Sequence, residues 1–132
     1  MNINTAYLTD CSFHAYDALT RIIEENAGKN NLFKIGMSVA PVRRVTNIRA
    51  AFNKPRYTGK MNITYRWGVG TLYILYYTEE RYRCQNVERS FITHLKNIAG
   101  KSCLNATGGG GGRPGTGTHF VYLAHGHLKP AN

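Results

Sequence analysis

Acidic side chains are scarce in this chain of 132 residues: seven Asp and Glu stand against seventeen Lys and Arg, for a formal net charge of +10 and a pI near 9.8. No acidic residue occurs between residues 35 and 78, and none follows Glu88. A merely solvated surface mixes both signs, so long stretches of one sign point to a polyanionic partner drawn in by long-range attraction, with nucleic acid first among them. Glu88 is also the one carboxylate beyond residue 80, which excludes a crowded two-metal centre in the C-terminal half. Cysteine is sparse as well. Cys11, Cys84 and Cys103 have no second cysteine at metal-ligand or redox spacing, which argues against a disulfide framework and for a reducing cytoplasm. No apolar run approaches the roughly eighteen residues of a membrane span, and the opening MNINTAYLTD has neither a basic n-region nor an apolar h-region. A soluble cytoplasmic protein is the expectation.

The length is that of one domain, large enough to bury a core without staples. Residues 4–8 have the composition of a short strand. Ser12 is placed to cap a helix carrying Phe13, Tyr16, Leu19, Ile22 and Ile23 on one side, with Asn26 and Gly28 to stop it. Residues 32–37 read as a strand. Ser38 is placed to cap a second helix, with Pro41 in its first turn and Val42, Val45, Ile48 or Arg49, and Phe52 at helical spacing. Residues 53–62 have the Lys, Arg, Pro and Gly of a loop. Ile63, Tyr65, Trp67 and Val69 alternate as on a half-buried strand, and TLYILYYT after Gly70 has the composition of a central one. Val87, Phe91, Leu95 and Ile98 mark the buried stripe of a helix over residues 82–99 that ends at Gly100, with Glu88 at the edge of the stripe. A glycine-rich loop then leads to HFVYL, long enough for one closing strand. Helices interspersed with strands, without clean β-α-β repetition, predict an α+β domain with a central mixed or antiparallel sheet flanked by helices.

Several other motifs carry less chemistry. His125 and His127, with His119 and Cys103, lack the second spaced pair of a zinc site. The glycine run at residues 108–112 lacks the Gly-Lys-Ser/Thr ending of a phosphate-binding P-loop, so a mobile, basic-flanked loop lying over nucleic acid suits it better. Arg43, Arg49, Lys54, Arg56, Lys60 and Arg66 form the basic set available for a nucleic-acid backbone, and Tyr57 and Tyr65 among them are candidates for stacking on bases.

One combination stands out. KIGMSVAPVRRV carries a strand, a glycine and an arginine on the following helix, Glu88 follows Arg44 by 44 residues in NVERSFITHL, and Asn105 stands in CLNATGG. Together these resemble the GIY-YIG nuclease superfamily, in the variant whose second motif reads KIG. The resemblance covers residues 32–123 or so. It implies a single GIY-YIG-like domain over residues 1–132, best supported over 31–123, with 9–30 as a helical insertion. It also implies a role for each matching residue. Arg44 would hold the scissile phosphate through its guanidinium fork. Glu88 would anchor one Mg²⁺ or Mn²⁺, a lone carboxylate being sufficient for an ion that keeps most of its water. Asn105 would close the site. Lys34, where the second motif usually has tyrosine, would contact the phosphate or lower the pKa of a neighbouring phenol. No Gly-Ile-Tyr precedes the KIG strand at close range, so Tyr7 in TAYL is the candidate first-motif tyrosine, with Tyr16 second. Such a phenol would take the proton of the attacking water.

Two functions from different classes follow. One is a metal-dependent endonuclease hydrolysing DNA phosphodiesters, with a dimer expected if it cuts both strands. The other is a binding module on the same fold that holds nucleic acid or a protein without turnover. The retained Arg44, Glu88 and Ser38 favour the first, and the missing first motif favours the second.

Overall fold

The computed structural model describes residues 1–28, 30–46, 56–58, 63–105 and 116–130. They form a small α+β domain in the order β1 (Asn2–Asn4), α1 (Ser12–Glu25), β2 (Asn31–Ser38), α2 (Pro41–Thr46), β3 (Arg56–Thr58), β4 (Ile63–Thr78), α3 (Arg81–Ala99) and β5 (His119–Pro130). The mixed sheet runs β1-β4-β5-β2, with β3 paired onto β4. β1 lies parallel to β4, and the remaining pairings are antiparallel. Among the described residues no helix is long and apolar enough to cross a membrane.

Alternation along the strands divides the apolar residues between two faces. Phe33 and Ile35 of β2 and Val121 and Leu123 of β5 pack with Leu19, Ile22, Phe91, Ile92 and Leu95 of α1 and α3. On the other face Tyr122 and Ala124 pack with Leu72 and Ile74 of β4 and Val45 of α2. The chain therefore has a helix layer on one face and the short α2 on the other.

Several local expectations are corrected. The N-cap of α1 is Cys11, with no side-chain cap hydrogen bond, rather than Ser12. Its buried side is Ala15, Ala18, Leu19, Ile22 and Ile23, whereas Phe13 is 79% exposed and Tyr16 lies at the surface. Alanines hold two of the inward positions of α1, and Phe13 and Tyr16 fall on its outer side. Ser38 ends β2 instead of capping α2, and its hydroxyl oxygen accepts the Ala40 N–H at 2.9 Å in the turn between them. The continuation of α2 expected through Ile48, Arg49 and Phe52 lies outside the described residues. Within the stretch expected as loop, Arg56–Thr58 is a strand paired with Ile63, Thr64 and Tyr65. Gly70 does not divide two strands. β4 runs through it for sixteen residues, with register shifts between Val69 and Thr71 and between Ile74 and Tyr76 that absorb the change of phase. In α3, Ile98 is exposed and Glu88 is buried, the reverse of the expected stripe edge. β5 is not a short closing strand but a twelve-residue central one, held between β4 and β2.

Candidate active site

The first half of the site follows from strand pairing. β2 and β5 run antiparallel with Gly36 directly opposite Tyr122, so their side-chain positions share the face that carries α2. Gly36 leaves room there for the phenol. A Cβ at residue 36 would overlap the Tyr122 hydroxyl and Cζ and would lie 3.1 Å from Cε1. The ring therefore extends from the central strand across the edge strand, with its hydroxyl over Gly36. A glycine in mid-strand commonly marks such a close approach.

The second half comes from the two helices that flank this point. Arg44 stands in the last turn of α2, one residue before the buried Val45 that fixes the helix to the sheet, and its guanidinium is near enough to the Tyr122 phenol to act on its acidity. Glu88 on α3 is 6% exposed, and its negative charge reaches the same phenol. The three groups set Tyr122's acidity. Burial is the largest influence and raises it. Arg44 then lowers it by charge and by its hydrogen bond, and Glu88 raises it, leaving the phenol pushed up to about 12. Tyr122 is thus a neutral phenol near pH 7, with a cation and an anion acting on it in opposite directions. Glu88 acts likewise on Cys84, one helical turn before it, whose thiol is pushed up to about 12 by burial first and by that carboxylate second.

Tyr122 was not among the residues singled out in sequence. Its signal was the unexplained Gly36: a bare glycine flanked by buried Ile35 and half-buried Met37 calls for a large side chain on the neighbouring strand. The sequence did not say which strand that would be.

Tyr7 falls elsewhere. It lies in the turn after β1 rather than on a strand, packs against the cluster on the α1 and α3 face, and its charged form raises the pKa of Tyr73, for which burial is the larger cause. Tyr16 lies on the outer part of α1, its hydroxyl 2.8 Å from Nδ1 of His94. The phenol on which Arg44 and Glu88 both act is Tyr122, not Tyr7. Lys34 stands on β2 opposite Ala124, and its charge bears on Cys103, lowering a thiol pKa that burial raises.

Asn105 acts on the backbone. Its Oδ1 accepts the Ile35 N–H at 2.9 Å and its Nδ2 donates to the Ile35 carbonyl at 2.8 Å, while Leu104 N–H donates to the Phe33 carbonyl at 2.8 Å. The amide thus mimics a strand on the outer edge of β2, immediately before Gly36. With both ends engaged by Ile35, Asn105 positions the strand under the phenol instead of facing it. Asn105→Ala is expected to lower stability by about 2 kcal/mol, because a half-buried N–H and C=O lose their partners together. Asn105→Asp, which keeps the acceptor and loses the donor, should recover part of that loss. Urea unfolding midpoints at constant slope measure both.

Of the basic set, Arg43 is exposed on α2 beside Arg44. Arg56 stands on β3 opposite Tyr65, and Arg66 on β4 opposite Lys129. Arg49, Lys54, Lys60 and the glycine run lie outside the described residues. Among the described residues no three His, Cys, Asp or Glu side chains gather as a metal-ligating group. His125 is hydrogen-bonded to Asn31 Oδ1 at 2.7 Å and stacked on Phe33 at 5.0 Å, the arrangement of a core histidine.

No protein-family model, no curated protein and no solved structure matches this chain.

Proposed function

We propose that this chain is a metal-dependent endonuclease that hydrolyses DNA phosphodiester bonds at the Tyr122, Arg44 and Glu88 centre. The observation that carries the reading is the convergence of the arginine and the carboxylate on one buried phenol over Gly36. These residues come from two strands and two helices, and three of them belong to the motifs on which the GIY-YIG resemblance rests. The surplus of ten positive charges supplies the attraction for the polyanion.

The donor chemistry fits one divalent cation. A single hard oxygen ligand suits Mg²⁺ or Mn²⁺ that retains most of its water, and Glu88 would hold it. When bound, such an ion polarises phosphoryl oxygens and lowers the pKa of water. The chain's own groups do the rest. Arg44 has five N–H donors, so one side of the fork can engage the phenol while another meets the phosphate and offsets charge developing at phosphorus. Tyr122 would serve as general base only in its phenolate form, a small fraction near pH 7, which takes the attacking water's proton and becomes the neutral phenol. Because burial disfavours that phenolate, Arg44's charge first and its hydrogen bonding second act as the counterweight that raises its population.

A binding module without turnover is favoured by one observation, the burial of Glu88, which leaves little carboxylate surface for an ion. A nicking assay on supercoiled plasmid separates the two. The nuclease reading expects relaxed plasmid with Mg²⁺, none with EDTA, and none with Glu88→Gln even though that variant still binds DNA. Binding without nicking by the wild-type chain in Mg²⁺ and in Mn²⁺ would leave the module.

A further inference from the structure

The seam between α1 and α3 carries a groove that the proposed reaction does not use. A cavity of about 400 Å³ opens between Phe13 and Tyr16 of α1 and Arg83, Val87 and Phe91 of α3. A second, of about 340 Å³, continues along α3 past Arg89, Thr93 and Asn97, and Tyr16 and Ser90 line both. From Arg83 to Asn97 the groove follows α3 for about 20 Å at 1.5 Å per residue.

The first cavity joins apolar Phe13, Val87 and Phe91 to a polar rim, and the second is lined mostly by polar side chains. Phe13 is 79% exposed at the first cavity, while buried Val87 and Phe91 form its floor. An exposed aromatic beside an apolar floor of this kind marks a contact surface. Tyr16 is also fixed in advance. It stacks on His94 with ring centroids 4.1 Å apart, and its hydroxyl lies 2.8 Å from Nδ1. Thr20 donates its proton to the Tyr16 carbonyl, so its oxygen, 2.7 Å from Nε2, accepts the Nε2–H, and Nδ1 accepts the Tyr16 hydroxyl proton. A wall already held in place loses little freedom when a partner arrives.

Charge selects the partner. The charged residues that α3 exposes, Arg83, Arg89 and Lys96, are all cationic, and no carboxylate lines either cavity. Glu80 reaches Arg83 at 3.6 Å, a surface pair of two exposed side chains that screens Arg83 only weakly. A second copy of the chain is disfavoured, since a two-fold contact through this groove would bring Arg83 and Arg89 close to their own images. A phosphate backbone could use the donors of the second cavity but would leave the apolar floor of Val87 and Phe91 in the first uncovered, which an amphipathic segment covers.

We propose that the α1–α3 groove docks an acidic amphipathic helix of a partner protein, its apolar anchor beside Phe13 and its carboxylates toward Arg83 and Arg89. The test is selection from a displayed library of peptides about 14 residues long, the length that spans the groove as a helix. The expected result is enrichment of acidic sequences with aromatic or leucine anchors at helical spacing. Their affinity should fall at least about tenfold on Phe13→Ser, the usual loss for a removed aromatic anchor, and about as much on the double change Arg83→Glu and Arg89→Glu. Phe13 is exposed, so its replacement leaves the core intact, and circular dichroism checks this. Basic or patternless winners, no enrichment, affinity indifferent to both variants, competition by duplex DNA, or concentration-dependent dimers abolished by Phe13→Ser would each overturn the proposal.

Discussion

Arg44→Ala is expected to lower plasmid cleavage by about three orders of magnitude, in the range found when a donor aimed at transition-state charge is removed. Affinity for the plasmid should change little. The size of the effect has two sources. The guanidinium is the group proposed to meet the scissile phosphate, and it is also the cation that lowers Tyr122's pKa by charge and hydrogen bond. Removing it raises that pKa further, because burial and Glu88 then act unopposed. Arg44→Lys should recover only a small part, since an ammonium keeps the charge but cannot serve phenol and phosphate together through a planar fork. Single-turnover rates with DNA in excess of its dissociation constant measure the loss apart from binding.

Arg43 is the contrasting position. Adjacent residues on a helix point about 100° apart, so Arg43 and Arg44 do not address the same phosphate. Arg43→Ala is expected to leave the single-turnover rate within a few-fold and to reduce the slope of log affinity against log salt by about 0.9, the contribution of one neutralised phosphate. A catalytically dead Arg43→Ala with an active Arg44→Ala would exchange the two roles. Activity in both would leave Tyr122 without the arginine that the nuclease reading requires.

The contrast between Arg44 and Tyr122 shows what sequence order can and cannot reveal. Arg44 was legible because a helix start, a proline and a buried Val45 fix its position relative to the KIG strand within a dozen residues. Glu88 stood out in sequence by its isolation in charge, although its burial did not, since a helical stripe gives the direction of a side chain only to within its edges. The α+β class, α1 and α3 could be read from local periodicity, because α-helical spacing is written in neighbouring residues. Strand pairing is not local. β5 enters between β2 and β4 from the far end of the chain, so the tyrosine beside Gly36 is 86 residues away in sequence. Searching upstream of the KIG strand therefore led to Tyr7, which packs on the opposite face. Asn105 was singled out by the motif resemblance as the residue closing the site, whereas its engagement with both polar groups of Ile35 depends on the same long-range geometry.

Tyr122→Phe is accordingly expected to reduce cleavage by at least about a hundredfold, the scale of a lost general base, with folding preserved because the ring still fills its place over Gly36. Gly36→Ala should reproduce that loss by another route. Its methyl would overlap the phenol tip, so the ring must swing off the edge strand and away from Arg44, at a stability cost of about 1–3 kcal/mol for overpacking. The backbone at residue 36 is not in the left-handed region, so alanine carries no conformational strain of its own there. This makes the pair separable by a double-mutant cycle. In a Tyr122→Ala background the methyl meets no ring, and Gly36→Ala should become neutral or stabilise by about 0.5–1 kcal/mol through the lower entropy of the unfolded chain. Its effect on the residual cleavage should vanish in the same background. If Gly36→Ala instead destabilises equally whether or not the ring is present, the glycine serves the backbone alone, and the coupling of the KIG strand to Tyr122 on which the proposed centre depends is lost.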